Sequence, residues 1–241
     1  MQARDICSRP PLIAIALALA FLLVPAGAAM AQARADFYRA EIVIVERLVA
    51  PASVQEQMAD KQVEPPLNGI SSLWVVDASG NRQSDVSLAG RNELHLNQAA
   101  ARLENSGNYR VLATAGWYQS FPPNYDGQPM KVAIGDWLSQ AGQRAVEGHI
   151  EIDRQRYLHV NVHLNHWQDS GQSQPASSTA AEDGNQAENQ LQPDAAYPSA
   201  AAAPAELITW IRETRRMRSE EIHFIDSPTI GVLVFFRRIE G

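Results

Sequence analysis

Apolar positions along the chain follow three patterns. In residues 38–49, YRAEIVIVERLV, the stretch Ile42-Val43-Ile44-Val45 is apolar without a break, and GVLVFF at 231–236 repeats the form. Runs of that length, rich in β-branched and aromatic residues, predict strands covered on both faces. In RYLHVNVHLNHW (156–167) the pattern alternates. Leu158, Val160, Val162 and Leu164 take one side, and His159, Asn161, His163 and Asn165 take the other. Residues 109–119 alternate as well, with Tyr109, Val111, Ala113, Ala115 and Trp117 expected on one face. One polar face marks a half-solvated antiparallel strand.

The third pattern is helical. NQAAARLENSG (97–107) places Ala99, Ala100 and Leu103 on a narrow apolar side. Asn97 suits the N-cap, and Gly107 suits the left-handed position after the last turn. For 205–218 the pattern allows a strand or a helix. A strand sets Arg212, Arg216 and Arg218 on one face with Arg215 opposite, whereas a helix scatters them around its axis.

Two stretches carry no periodicity. Pro51 to Gly69 reads as an irregular connection. From Gln168 to Pro204, Ser, Gln, Ala, Pro and acidic residues dominate. Such a segment buries too little surface to offset its ordering entropy, so it predicts a disordered insertion. Strand-like sequence flanks it on both sides, and a long surface loop costs little extra free energy. The expected fold is therefore α+β: a mostly antiparallel β-sheet with few helices on one side. Residues 36–241 form a single domain in this reading, interrupted by the insertion at 168–204.

The first 31 residues change the picture of where the chain works. Arg4 and Arg9 precede an apolar run from Leu12 to Val24, Pro25 and Gly27 break it, and GAAMAQA follows. This is the layout of a secretory signal peptide, with cleavage expected after Ala31 or Ala33. The run falls short of the ~20 residues that span a bilayer, so the processed chain is not expected to span a membrane. Cys7, the only cysteine, leaves with the leader. The mature chain then has no disulfide, thiol nucleophile or thiolate ligand. An exported chain of this kind predicts the periplasm of a Gram-negative bacterium.

Charge narrows the partners. The sequence holds 20 basic and 27 acidic residues; losing Arg4, Arg9 and Asp5 leaves 18 and 26, a net charge of −8. Nucleic acid and anionic membrane are poor partners for that surface. Lys61 and Lys131 are the only lysines, so the positive charge is almost all arginine. Arginine forks suit bidentate contacts with carboxylate or phosphate.

The densest chemistry lies in RETRRMRSEEIHFIDSPTIGVLVFF (212–236). As a hydrolase triad, His223, Asp226 and Ser227 fail. Positions 223 and 226 of a strand point to opposite faces, while a triad needs its carboxylate behind the imidazole and its hydroxyl in front. Asp226-Ser227-Pro228 reads as a turn. Arg212, Arg215, Arg216 and Arg218, four arginines within seven residues, form a local positive patch, partly neutralised by Glu213, Glu220 and Glu221. That patch is either a solvated ion-pair surface or an anion site for ligand carboxylates. No catalytic residues and no cofactor are assigned.

The histidine spacing argues against a shared metal ion. His159 and His163 lie about 13 Å apart along one strand, too far for one zinc. Pairing 147–152 with 158–163 around a loop at 154–156 sets Glu147 opposite His163, His149 opposite Asn161 and Glu151 opposite His159. Such glutamate–histidine pairs raise histidine pKa values. No metal site is assigned. Trp117, Tyr118, Phe121 and Tyr125 surround Pro122-Pro123 and offer a candidate platform for sugar rings.

Four stretches, in this order, carry a resemblance: FYRAEIVIVERLV, ARLENSGNYRVLATAGWYQS, HIEIDRQRYLHVNVHL and RRMRSEEIHFIDSPTIGVLV. They resemble the CsiV family of periplasmic peptidoglycan-binding proteins. The last block is the most specific, through Arg215, Arg216, Arg218, Ser219, Glu221, His223, Asp226, Pro228, Gly231 and Val232. Ser227 stands where the family usually has histidine, and Phe224 where it often has tyrosine. The resemblance implies a non-enzymatic cell-wall factor with a role in cell shape. It implies peptidoglycan as ligand, and as partner an outer-membrane lipoprotein resembling LpoA, which stimulates a bifunctional penicillin-binding protein. The candidate ligand- or partner-binding residues are Arg215, Arg216, Arg218, His223, Asp226, Trp117 and Tyr118. Two other classes remain as alternatives: a wall hydrolase with dispersed carboxylates, and an envelope assembly factor that binds only proteins.

Overall fold

A computed structural model of the chain describes residues 36–50, 53–54, 58, 61–170 and 204–239. The leader at 1–31 and most of the insertion expected at 168–204 lie outside the described residues. The strands are β1 (Phe37–Arg47), β2 (Ser72–Val76), β3 (Arg82–Gln83), β4 (Tyr109–Ser120), β5 (Met130–Leu138), β6 (Gln143–Arg154), β7 (Leu158–Asp169), β8 (Ala205–Met217), β9 (His223–Asp226) and β10 (Ile230–Arg238). A helix, α1, spans Asn97–Asn105.

Two sheets result. One has the order β4-β1-β10-β9 and the other β3-β2-β5-β6-β7-β8. Every named pairing is antiparallel except β2 with β5, which is parallel. The strands with two apolar faces sit at the centre of the smaller sheet. Ile42, Ile44, Val232, Val234 and Phe236 face a core shared with Val132, Ile150, Val160, Val162 and Leu164 of the larger sheet. Val43, Val45, Leu233 and Phe235 face the other way, against Ala99 and Ala100 of α1. Both sides of β1 and β10 are therefore covered, as their sequences require. The expected class holds: a largely antiparallel β structure with one helix on one side.

Several local expectations shift. Leu96, not Asn97, occupies the N-cap, and the Asn97 amide bonds the Arg91 carbonyl. The carboxylate that a capping side chain would supply comes instead from Glu41 on β1, which accepts the Leu96 N–H. Gly107 takes the left-handed position, at φ 73°. The shared face expected for β4 divides at a bulge opposite Ile44 and Val45. Ala113, Ala115 and Trp117 point into the inter-sheet core, while Tyr109 and Val111 pack against the helix-side cluster. One extra residue reverses the alternation beyond it.

Residues 205–217 are a strand, which settles the strand-or-helix alternative. Pairing of β7 with β8 runs out to Gln168↔Glu206 and Asp169↔Ala205. Gln168 and Asp169 thus belong to the sheet, not to the insertion, which connects two paired antiparallel strands. The β6–β7 register also differs by two residues from expectation. His149 faces His163, Glu147 faces Asn165 and Glu151 faces Asn161. The reason lies at the strand end. The Arg154 N–H donates to the Tyr125 carbonyl, and its guanidinium pairs with Asp36 at 2.6 Å. β6 is held extended through Arg154, so the turn falls at 155–157. A shift of two preserves each side chain's face and changes every partner.

Candidate functional site

The changed register builds a feature that no single strand contains. Lys131 on β5 is paired with His149 on β6, His149 with His163 on β7, and His163 with Arg212 on β8. Four basic side chains thus stand in one row across four strands. With neighbouring strands about 4.8 Å apart, the row spans roughly 14 Å. All four project from the face opposite the inter-sheet core, because Val132, Ile150, Val162 and Ile211, their neighbours in sequence, point inward. The permanent charges, Lys131 and Arg212, stand at the two ends of the row, with the two imidazoles between them.

The row lies in a groove of about 310 Å³. One wall is the irregular segment from Val63 to Ile70, including Glu64, Pro65 and Pro66; Glu147, Asn165 and Trp167 contribute on the sheet side. Gly148 makes the floor possible. Its φ is 153°, and a Cβ there would lie 1.9 Å from the His163 carbonyl oxygen. Only glycine lets β6 and β7 approach so closely at this point.

The groove is tuned toward neutral imidazoles between fixed charges. The His149 and His163 rings stack with centroids 4.9 Å apart. Burial holds the His149 pKa below the ordinary value, and the charges of His163 and Arg212 lower it further. Burial and then Arg212 do the same to His163. These directions reverse the expectation of raised histidine pKa values: burial disfavours the charged form first, and the register sets the pair beside Arg212 instead of opposite glutamates. Glu64 opposes the shifts at both histidines and at Arg212. The Nδ1 of His163 is buried without a hydrogen-bond partner among the described residues.

Arg212 is held rigidly. Nη1 donates to the carbonyls of Leu164 and Ile211, Nη2 donates to Asn165 Oδ1 at 2.6 Å, and the guanidinium lies 4.7 Å from the centre of the Trp210 ring. No carboxylate among the described residues lies within ion-pair distance of it, in contrast to Arg39, Arg47, Arg110, Arg154 and Arg215.

The residues singled out from the sequence do not converge. Arg215 lies on the opposite face of β8 from Arg212. It pairs with Glu213 and donates to the Phe224 carbonyl at 2.9 Å, tying the edge of one sheet to the edge of the other. Arg216 shares the Arg212 face and stacks on Tyr157 at 4.7 Å. Arg218 lies beyond the strand, not on its face. It approaches Glu221 at 3.5 Å, and its backbone N–H donates to His223 Nε2. Asp226 pairs with Arg47 at 2.6 Å. Trp117 is 1% exposed and donates to Gln119, so its ring belongs to the core and offers no platform to a sugar. Tyr118 is exposed, stacks on Phe37 and donates to Glu93.

Two other clusters bear on chemistry. His166 Nδ1 lies 2.7 Å from Thr229 Oγ1, and Nε2 lies 3.7 Å from Glu46. An acid, an imidazole and a hydroxyl do meet here. The Thr229 hydroxyl is also held by Thr209 at 2.6 Å, and the residue is 2% exposed. Together with the contact from Thr209 to Ser227, this chain links the two sheets as a polar strut. Separately, Asp126, Glu151 and Asp153 bring carboxylate oxygens within 4.8 Å of one another. Asp153 accepts from the Gly127 N–H, which ties the β4–β5 connection to β6, and from the Asn161 amide across the β6–β7 hairpin.

Lys131, His149, His163 and Arg212 are individually visible in the sequence. Their alignment is not, since it needs three strand registers at once. The signal available was a basic residue at the outward parity of each strand. Among the described residues no helix is long and apolar enough to cross a membrane. A family model described as "Peptidoglycan-binding protein, CsiV" matches residues 12–239. Comparison with curated proteins and with solved structures returned no match.

Proposed function

The chain belongs to the CsiV family of peptidoglycan-binding proteins, and from that premise we propose that it is an exported, non-enzymatic periplasmic protein that grips the cell wall through the outer face of its six-stranded sheet. The observation that carries this reading is the row Lys131–His149–His163–Arg212, set in a groove on a protein of negative net charge. Peptidoglycan is a polyanion at neutral pH, and fixed cations in a partly desolvated groove attract it more strongly than exposed ones do. Arg216 lies four residues, two repeats of the strand pattern, further along the same face and extends the positive surface.

The experiment is co-sedimentation of the mature chain with isolated sacculi. The wild-type protein pellets with the wall, and the Lys131→Gln/Arg212→Gln double variant stays in solution. Retention of both equally in the pellet would remove the row from the reading, and no pelleting of either would remove wall binding itself. Sacculi incubated with the protein release no soluble muropeptides. Release would instead support the hydrolase class.

A protein partner completes the reading: an outer-membrane lipoprotein resembling LpoA, and through it a bifunctional penicillin-binding protein. The exposed, stacked Phe37 and Tyr118 on the smaller sheet are the surface we assign to it. A pulldown from envelope extract with the Phe37→Ser/Tyr118→Ser variant tests that assignment.

A further inference from the structure

We propose that the groove selects the free carboxylates of the peptide stems rather than the glycan strand. The inference rests on the wall-binding reading above and names the chemical group that the groove recognises.

The two ends of the row are its permanent charges. Lys131 and Arg212 are separated by the two histidines, their backbone positions roughly 14 Å apart across four strands, a span on the scale of an extended peptide bearing more than one carboxylate. Stripping the stems removes the peptide carboxylates and leaves the glycan only the lactyl carboxylate of each muramic residue, since its acetamido and hydroxyl groups are neutral.

The Arg212 guanidinium is oriented before any ligand arrives. Two backbone carbonyls, the Asn165 amide oxygen and the Trp210 ring fix its plane. An arginine held in this way loses little rotamer freedom on binding a carboxylate. Its lack of a carboxylate partner among the described residues leaves that role open to a ligand. The Nδ1 of His163, buried and without a partner among the described residues, is a second unsatisfied polar group within the row.

Glu64 supplies the internal precedent. It lines the same groove from the Pro-rich wall, and its charge acts on His149, His163 and Arg212 together. A carboxylate brought by the chain itself thus already interacts with the row. It competes with a ligand carboxylate for the same field, so Glu64 sets how weakly the groove binds in its resting form.

The test is calorimetric titration of the mature chain with three probes: soluble stem tetrapeptide, the same peptide with its carboxylates amidated, and glycan strands stripped of peptide. The free tetrapeptide binds. Amidation weakens it at least about tenfold, as does Lys131→Gln or Arg212→Gln, each removing one charge-assisted contact. Glu64→Gln tightens it. The Lys131 ammonium makes no hydrogen bond among the described residues, so an unchanged melting temperature for Lys131→Gln assigns its loss to binding. Arg212→Lys, which keeps the charge, retains part of the affinity if Arg212→Gln proves unstable. Equal binding of the amidated peptide, or capture of stripped glycan with no binding of tetrapeptide, would overturn the inference while leaving wall binding intact. Intact sacculi run alongside separate that outcome from failure of wall binding as a whole.

Discussion

Glu41 on β1 reaches across to the start of α1, where its Oε2 accepts the Leu96 N–H at 3.0 Å. The carboxylate is fully buried, and its other oxygen takes the Arg39 Nε–H at 2.7 Å. A strand carboxylate thus satisfies a helix N-terminus, and the favourable end of the helix dipole helps offset its desolvation. Glu41→Ala strands Arg39 without its partner and leaves the helix end uncapped. A loss of about 3 kcal/mol is expected, read as a lower urea midpoint at constant m-value. A change below about 0.5 kcal/mol would mean that the contact contributes no net stability.

Arg215 is expected to act on stability and not on ligand. Its bond to the Phe224 carbonyl links β8 to β9, and its ion pair with Glu213 is partly exposed. Arg215→Ala costs about 1–2 kcal/mol, mainly through the carbonyl left unpaired. Stem-peptide affinity of the folded variant stays at the wild-type value. A stable Arg215→Ala protein with lost affinity would return the anion site to the 215–218 arginines.

Acid changes both stability and binding through the stacked histidines. Burial keeps His149 and His163 neutral to lower pH in the fold than in the unfolded chain, whose histidines titrate near pH 6.5. Between the folded and unfolded pKa values the unfolded state holds more protons, so this contribution is complete above about pH 6.5 and falls as pH drops below it. His166, also lowered by burial, adds to the same slope. A bound carboxylate favours the imidazolium form and reverses the sign for affinity. With Lys131, Arg212, Glu64 and Glu147 around the pair, stem peptide binds more tightly at pH 5.5 than at pH 7.5. The His149→Gln/His163→Gln variant loses that difference and keeps only the His166 share of the stability slope. A pH-independent affinity in the wild type would separate the histidines from ligand binding.

Salt distinguishes a charge-reading groove from an apolar one. Raising ionic strength from 0.05 to 0.5 M shortens the screening length to about 4 Å, so sacculus and tetrapeptide binding both weaken. The residual binding of Lys131→Gln has a shallower salt dependence, because one charge contact is gone. Salt-insensitive binding would point to the Trp167 side of the groove and to sugar stacking.

Much of the architecture was written in residue order. Parity alone placed Leu158, Val160, Val162 and Leu164 inward and His159, Asn161, His163 and Asn165 outward, and the unbroken runs at 42–45 and 231–236 marked strands covered on both faces. Those readings depend on backbone geometry that repeats every two residues, so they needed no partner. Trp117 was placed on the correct side of its strand, yet parity cannot tell whether that side meets another sheet or solvent. The face of Val111 was misread because a bulge opposite Ile44 and Val45 inserts one residue, and nothing local announces it.

What the sequence determined by itself was which side of each strand a group occupies; what tertiary structure decided was which groups meet. The anchoring of Arg154 by Asp36 moved one hairpin register by two residues, replacing glutamate–histidine pairs with His149 against His163. Two further registers then brought Lys131 and Arg212 into the same row. Faces follow from each strand's own pleat, whereas registers follow from turns and long-range contacts between residues far apart in the chain, and the candidate site is built from registers.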